Sequence, residues 1–268
     1  MNSGVVDFPS LDKLGRDLLA VHPWRRAASL ATPFLLTTAF FLFAANGLWI
    51  ASLVCALLLT FFTYGSISHD LVHRTLRLPR AFNEVLLCVI ELMAFRSGHA
   101  YRFAHLKHHA RFPAADDLEG AAAGMTWWRA LLDGVTLQPR LLLFAFRRGR
   151  DRSWIVGEAL GVLVLLVASF ATIPWTVAPV TYAALMILGS WLFPLITSFI
   201  PHNPKGHTEL TQTRLFRGRV LSIVALEHLY HLEHHLYPQV PHHNWPKLAR
   251  RLDPHFARAG LRPLRLFF

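Results

Sequence analysis

Two long stretches almost free of charge constrain this chain more than any other feature. Residues 27–64 contain no Asp, Glu, Lys or Arg, and residues 154–200 contain only Glu158. Each block exceeds the ~20 apolar residues that one membrane-crossing helix needs. Each is also broken near its middle by a turn signal, Asn46-Gly47 in the first and Ile173-Pro174-Trp175 in the second. The expected fold is therefore all-α and integral to a membrane. Four transmembrane helices, at about 28–45, 48–66, 154–172 and 176–200, form two hairpins of a single domain over 1–268. Composition agrees: 16% of residues are charged, against roughly 25% in soluble domains.

The distribution of charge sets the expected orientation. All 27 Lys and Arg fall before residue 27, between 65 and 153, or after 200. The positive-inside rule places those segments in the cytoplasm, that is 67–153, 201–268 and both termini. The net charge of +11 is thus read as meeting anionic headgroups, with no nucleic acid as partner. Residues 1–26 hold no long apolar core, so no cleavable signal peptide is expected. Cys55 and Cys88 lie in apolar segments and give no disulfide framework. Segment 82–95 is apolar but short and carries Glu84 and Glu91, which predicts a helix lying in the interface. The WWRALL run at 127–132 predicts an amphipathic surface helix, and 239–268 a surface helix and strap. Trp24, Trp49, Trp154 and Trp175 are expected in the interfacial belts.

Histidines supply the chemistry. Of 16 in the chain, eight fall in three clusters: HDLVH with His69 and His73, HLKHH with His105, His108 and His109, and HLEHH with His231, His234 and His235. Spacings of i, i+3 and i+4 put such rings on one helix face, and neutral imidazole is the commonest side-chain metal ligand. Every cluster follows an apolar block or joins the same cytoplasmic loop, so one shared metal centre is expected. Eight donors exceed the four of a structural zinc and the three of a catalytic one. The lack of paired cysteines argues against iron–sulfur, while imidazole suits iron, zinc and copper. Two irons sharing eight or nine nitrogens, with positions left for dioxygen, fit the count. His202, leaving the last span beside Pro201, is the candidate ninth ligand. His99 and His228 are weaker candidates. His22, His207, His242, His243 and His255 are read as interfacial or solvated, and Glu158 as lying at the headgroup level.

The three clusters, in this order and between these two apolar blocks, resemble the histidine boxes of the membrane fatty-acid desaturase superfamily, which includes carotenoid ketolases and hydroxylases. The resemblance covers most of the chain. It implies a non-haem di-iron centre that uses O2 and electrons from an external ferredoxin or cytochrome-type donor. Carried over box by box, it implies His69, His73, His105, His108, His109, His231, His234 and His235 as ligands. It implies His202 as well, since the superfamily's extra ligand stands 29 residues before the first histidine of the third box. The asparagine that the superfamily carries four residues before that ligand is Ser198 here, and Asn203 would point elsewhere. Ligating histidines donate their second nitrogen to a carboxylate or carbonyl, and Asp70, Asp117, Glu227 and Glu233 are the nearby candidates.

The substrate this implies is a long-chain lipid, with desaturation of a fatty acyl chain as the leading reading. Oxygenation of a β-carotene-type ring is the alternative. PHNP at 201–204 resembles ketolases, but the tryptophan pair that often follows their third box is His242-His243 here. A membrane metal transporter or sensor is a distant third, because such proteins carry polar ligands at mid-span and these blocks have almost none.

Overall fold

The computed structural model describes residues 8–218 and 228–265, without the side chains of Tyr64 and His228. Helix α1 (Pro23–Ala45) opens on proline, whose missing N–H would be unpaired there anyway. Asn46-Gly47 turns the chain, with Gly47 at φ 72°, and α2 (Trp49–Phe62) packs back on α1 through Ser52 Oγ donating to the Phe40 carbonyl at 3.1 Å. A π-turn, Thr63–Ile67, carries α2 directly into Ser68–His73. Helices α3 (Arg80–Met93), α4 (Gly98–Arg111), α5 (Trp127–Arg148), α6 (Arg152–Ala171) and α7 (Ala178–Ser190) follow. The path of α7 is prolonged by a second π-turn, Pro194–Phe199. After these come α8 (His231–Leu236) and α9 (Trp245–Arg258). Two-residue strands β1 (Phe216–Arg217) and β2 (Leu264–Arg265) pair in parallel.

Among the described residues, four helical stretches are long and apolar enough to cross a membrane: Arg16–Ala45, Trp49–His73, Arg152–Ala171 and Ala178–Phe199. They overlap the four expected spans, and they turn large apolar groups outward, Ile50 being 83% exposed and Val164 65%. In water such a surface would aggregate; toward lipid it costs nothing. Trp24, Trp49 and Trp175 are exposed as belt residues would be. Trp154 is not: its ring stacks on His99, with centroids 4.7 Å apart and planes 9° from parallel.

Helix α3 departs from the interfacial placement expected for 82–95. Its last carbonyl, Met93, accepts a 2.8 Å hydrogen bond from Tyr182 Oη, near the end of α7 far from His202. Val89, Leu92 and Met93 share a cavity of about 520 Å3 with Leu165 and Ala168 of α6. The C-terminal end of α3 is therefore sunk among the spans, and α4 leads the chain back. The polar residues at this bend meet one another there. Arg96 Nε donates to Glu91 Oε2 at 2.8 Å, and Ser68 Oγ to Glu91 Oε1. Glu158, expected at the headgroup level, is buried beside the same bend. It accepts from Ser97 Oγ at 2.6 Å, from the His99 amide at 3.1 Å and from His99 Nδ1 at 2.7 Å. His99 Nε2 donates in turn to Glu84 at 3.0 Å. Burying charge is tolerable only when every member is paired.

Ahead of α1, Leu14 and Leu18 join Leu215, Leu232, Trp245, Leu248 and Phe256 in one apolar core. Helix α9 supplies most of it, since Trp245, Leu248, Ala249, Leu252 and Phe256 recur at helical spacing on its buried face. Helix α5 is amphipathic as its sequence predicts. Ala130, Gly134, Leu137 and Leu141 face inward, while Trp127, Leu132 and Phe146 are exposed.

At Gly134 a Cβ would stand 1.9 Å from the Trp191 carbonyl oxygen. Gly134→Ala must push α5 off the end of α7, an overpacking cost of about 2 kcal/mol. The expected result is a Tm lowered by roughly 4–8 °C in detergent. An unchanged Tm would show that the two elements part freely.

Candidate metal centre

Each candidate histidine is delivered by a short helix or a helix end. His69 and His73 form the last turn of the α2 extension, which stops at Arg74 in the left-handed region, φ 56°. α4 begins at Ser97, whose Oγ accepts the Ala100 amide, and carries His105, His108 and His109. α8 is one and a half turns long and carries His231, His234 and His235. His202 leaves the second π-turn, with its Nδ1 donating to the Ser198 carbonyl at 3.1 Å. π-turns inside helices cluster at functional sites, and here one precedes each ligand-bearing helix end of the spans.

The nine rings gather into two groups. His69, His73, His105, His109 and His234 form one, and His108, His202, His231 and His235 form the other. Within each group the donor atoms lie within 4.8 Å of one another. The groups are adjacent: the rings of His109 and His235 stack at 4.3 Å and those of His234 and His235 lie 5.8 Å apart. The second and third clusters divide in the same way. The i and i+4 rings of α4 serve the first group and its i+3 ring the second. In α8 the i and i+4 rings serve the second group and the i+3 ring the first. His202 raises the second group from three donors to four.

The ring chemistry fits a cation in each group. Contacts between Nε2 atoms run 2.9 Å for His69 to His234, 2.7 Å for His234 to His109 and 3.0 Å for His108 to His202. His108 has already given its Nδ1–H to Asp117 Oδ2 at 2.7 Å, and His202 has given its own to a backbone carbonyl. Both therefore aim Nε2 lone pairs at the same point, where no hydrogen bond between them is possible. Metal–imidazole bonds of about 2.0–2.1 Å put neighbouring ligands at right angles about 3 Å apart. That is the observed spacing.

The carboxylates hold these rings less uniformly than expected. Asp117 grips His108 as stated, and Glu119, not anticipated as a ring partner, accepts from His105 Nδ1 at 2.8 Å. The two acids lie two residues apart in the loop after α4, and that spacing is the only hint the sequence offers. Asp70 does not reach a ring of either group. It accepts from His242 Nδ1 at 2.5 Å, from the His242 amide at 3.1 Å and from Thr75 Oγ1 at 2.7 Å. His242 is accordingly buried, not solvated. Glu233 pairs with Arg217 at 2.7 Å on the far side of α8. Glu227 and the side chain of His228 lie outside the described residues. His99 belongs to neither group. Asn203 is turned outward, its amide donating to the Thr211 carbonyl at 3.0 Å.

Burial, reinforced by neighbouring rings, holds His105, His109, His202, His234 and His235 well below the usual imidazole pKa. They are neutral at pH 7, the state that binds metal. Burial also raises the Glu119 carboxyl well above its ordinary range, with the Asp117 charge adding to the effect. Burial pushes Glu233 up to about 7 against the pull of Arg217.

Two outcomes follow from this arrangement. The unfolded chain binds protons at its histidines below about pH 6.5, whereas the folded rings resist them. Stability of the metal-free protein is therefore level above that pH and falls as pH drops through it. Tm measured in detergent between pH 7.5 and 5.5 is expected to decline, and a flat profile would mean that the rings are not buried neutral. His202→Ala leaves three donors in the second group. Metal content by elemental analysis is expected to fall from two ions per chain toward one, with the protein still in the membrane. Two retained ions would remove His202 from the centre.

Among curated proteins, none matches the chain. The family described as Fatty acid desaturase matches residues 47–265, a region holding both histidine groups and nearly all the helices. With four membrane-crossing stretches and two all-histidine clusters beside them, this chain belongs to the fatty acid desaturase family.

Proposed function

We propose that the chain is an O2-dependent non-haem di-iron desaturase that introduces a C=C bond into a fatty acyl chain. Its histidine centre and both termini face the cytoplasm. The observation that carries this reading is the pair of adjacent imidazole groups, all-histidine among the described residues, at the ends of two apolar spans. Two irons bound there would supply the oxidising power, with O2 as acceptor, that removing hydrogen from an unactivated C–H bond demands. Two electrons come from a separate ferredoxin or cytochrome-type carrier. The protein's own part is to fix the rings. Asp117, Glu119 and the Ser198 carbonyl hold three of them in the tautomer whose Nε2 is free to bind.

An apolar cavity of about 540 Å3 between α2 and α7 supports a substrate with a hydrocarbon body. Leu57, Phe61, Leu188 and Leu192 line it, and Gly65 and Thr197 stand at its histidine end. Gly65 precedes His69 by four residues and Thr197 precedes His202 by five. At the helical rise that is roughly 6–8 Å of chain. The cytoplasmic orientation rests on the positive-inside distribution of the 27 basic residues.

Expression in a host that makes both unsaturated lipids and β-carotene tests the reading. A new double bond in fatty acids is the expected product. A keto or hydroxy carotenoid with unchanged fatty acids would replace the acyl reading by the ring-oxygenating one. Purified protein holding one zinc and no iron would remove both. His231→Ala is expected to abolish product formation while the protein still inserts in the membrane.

A further inference from the structure

On the cytoplasmic face assigned above, a broad cleft of about 760 Å3 opens between the segment leading into α1 and the start of α9. His22, Arg25, His243, Lys247 and Arg250 line it, with Asp17 as its one acid. Lys247 pairs with Asp17, which leaves Arg25 and Arg250, both exposed, to give the cleft its positive field. One residue links the wall of this cleft to the first histidine group. Trp245, 3% exposed, sits between the lining residues Asn244 and Pro246, and its ring stands 4.8 Å from that of His234 and 5.4 Å from that of His69. Beside it the His242 ring lies 5.7 Å from His243 and is hydrogen-bonded to Asp70, the residue next to His69.

From this geometry we infer that the cleft is the docking surface for an acidic, one-electron carrier protein. The inference rests on the oxidoreductase reading proposed above. The buried Trp245 bears on the choice of occupant. A substrate must bring its carbon atoms to the irons, whereas an electron needs only packed side chains. Trp245 supplies these, since the residues on either side of it line the cleft and its ring packs on His69 and His234. Opposite charge across an interface steers encounter and fixes register. Each turnover takes two electrons and two protons, with two hydrogens from the substrate, to reduce one O2 to two waters. A one-electron carrier therefore docks twice, leaving oxidised each time.

The test is a binding titration of the iron-loaded protein in nanodiscs with an acidic plant-type [2Fe–2S] ferredoxin, at several salt concentrations. Arg25→Glu combined with Arg250→Glu is expected to weaken binding about tenfold or more and to flatten its salt dependence. Iron content, and turnover driven by dithionite in place of the carrier, should stay as in the parent. Arg147→Glu combined with Arg150→Glu, charge reversals in the last turn of α5 and just beyond it, should leave ferredoxin binding unchanged. The inference falls if the cleft variant binds ferredoxin like the parent, or if both pairs of reversals weaken it equally. It falls too if the cleft variant loses only its association with phosphatidylglycerol vesicles, which would make the cleft a lipid-headgroup surface. Loss of dithionite-driven turnover in the parent itself would instead indict the proposed reaction and leave the docking result to stand or fall on the titration.

Discussion

An imidazole that has donated its Nδ1–H has only an Nε2 lone pair left to offer, and lone pairs packed 3 Å apart repel. Nine rings in this protein are held in that kind of crowd, in two adjoining groups with no carboxylate in either among the described residues. Two of them, His108 and His202, are locked into the repelling tautomer by an Asp117 carboxylate and a backbone carbonyl that can only accept. Nothing in the surrounding apolar core repays this, because neutral imidazoles are buried there at a desolvation cost. The arrangement makes sense as a cation site, and the fold can be understood as the means of assembling it. Two spans end in π-turns that present His69, His73 and His202. α4 rises from the sunken bend with three more, and the cap built on α9 presses α8 down from the other side.

The spans and the three clusters were legible because both depend on periodicities that a linear string preserves. Apolar length gives the spans, and i, i+3, i+4 spacing gives a ring-bearing face. The division of the clusters was not legible. Whether the i+3 ring of α4 joins its own neighbours or those of α8 depends on how two helices cross, which no local pattern encodes. His202 shows the same limit: spacing could nominate it, but only its place among His108, His231 and His235 shows what it completes.

Proximity in sequence misled the choice of ring partners for a geometric reason. Asp70 follows His69 and Glu233 lies between His231 and His234, so on a helix their side chains leave at large angles from the rings they adjoin. Asp70 consequently meets His242, and Glu233 meets Arg217. The acids that do hold rings, Asp117 and Glu119, come from a loop that is free to fold back on α4. A similar cause hid the depth of α3. Its acids argue for a surface, but Glu91 is met by Arg96 and Glu84 by His99 and Arg102, so that burial costs far less than each would alone.

This architecture gives the centre two unlike sides. Toward the spans lies the apolar cavity between α2 and α7, whose histidine end stands within a helical turn or two of His69 and His202. Away from the spans Trp245 packs on His69 and His234, and the residues on either side of it line a basic cleft. An enzyme that draws hydrogens from a hydrocarbon and electrons from a soluble protein must receive two reactants with opposite solvation. It must also keep water from the one while admitting contact with the other. A metal centre set between an apolar cavity and a buried tryptophan would meet both demands without a moving gate, since only one of the two reactants has to bring its own atoms to the metal.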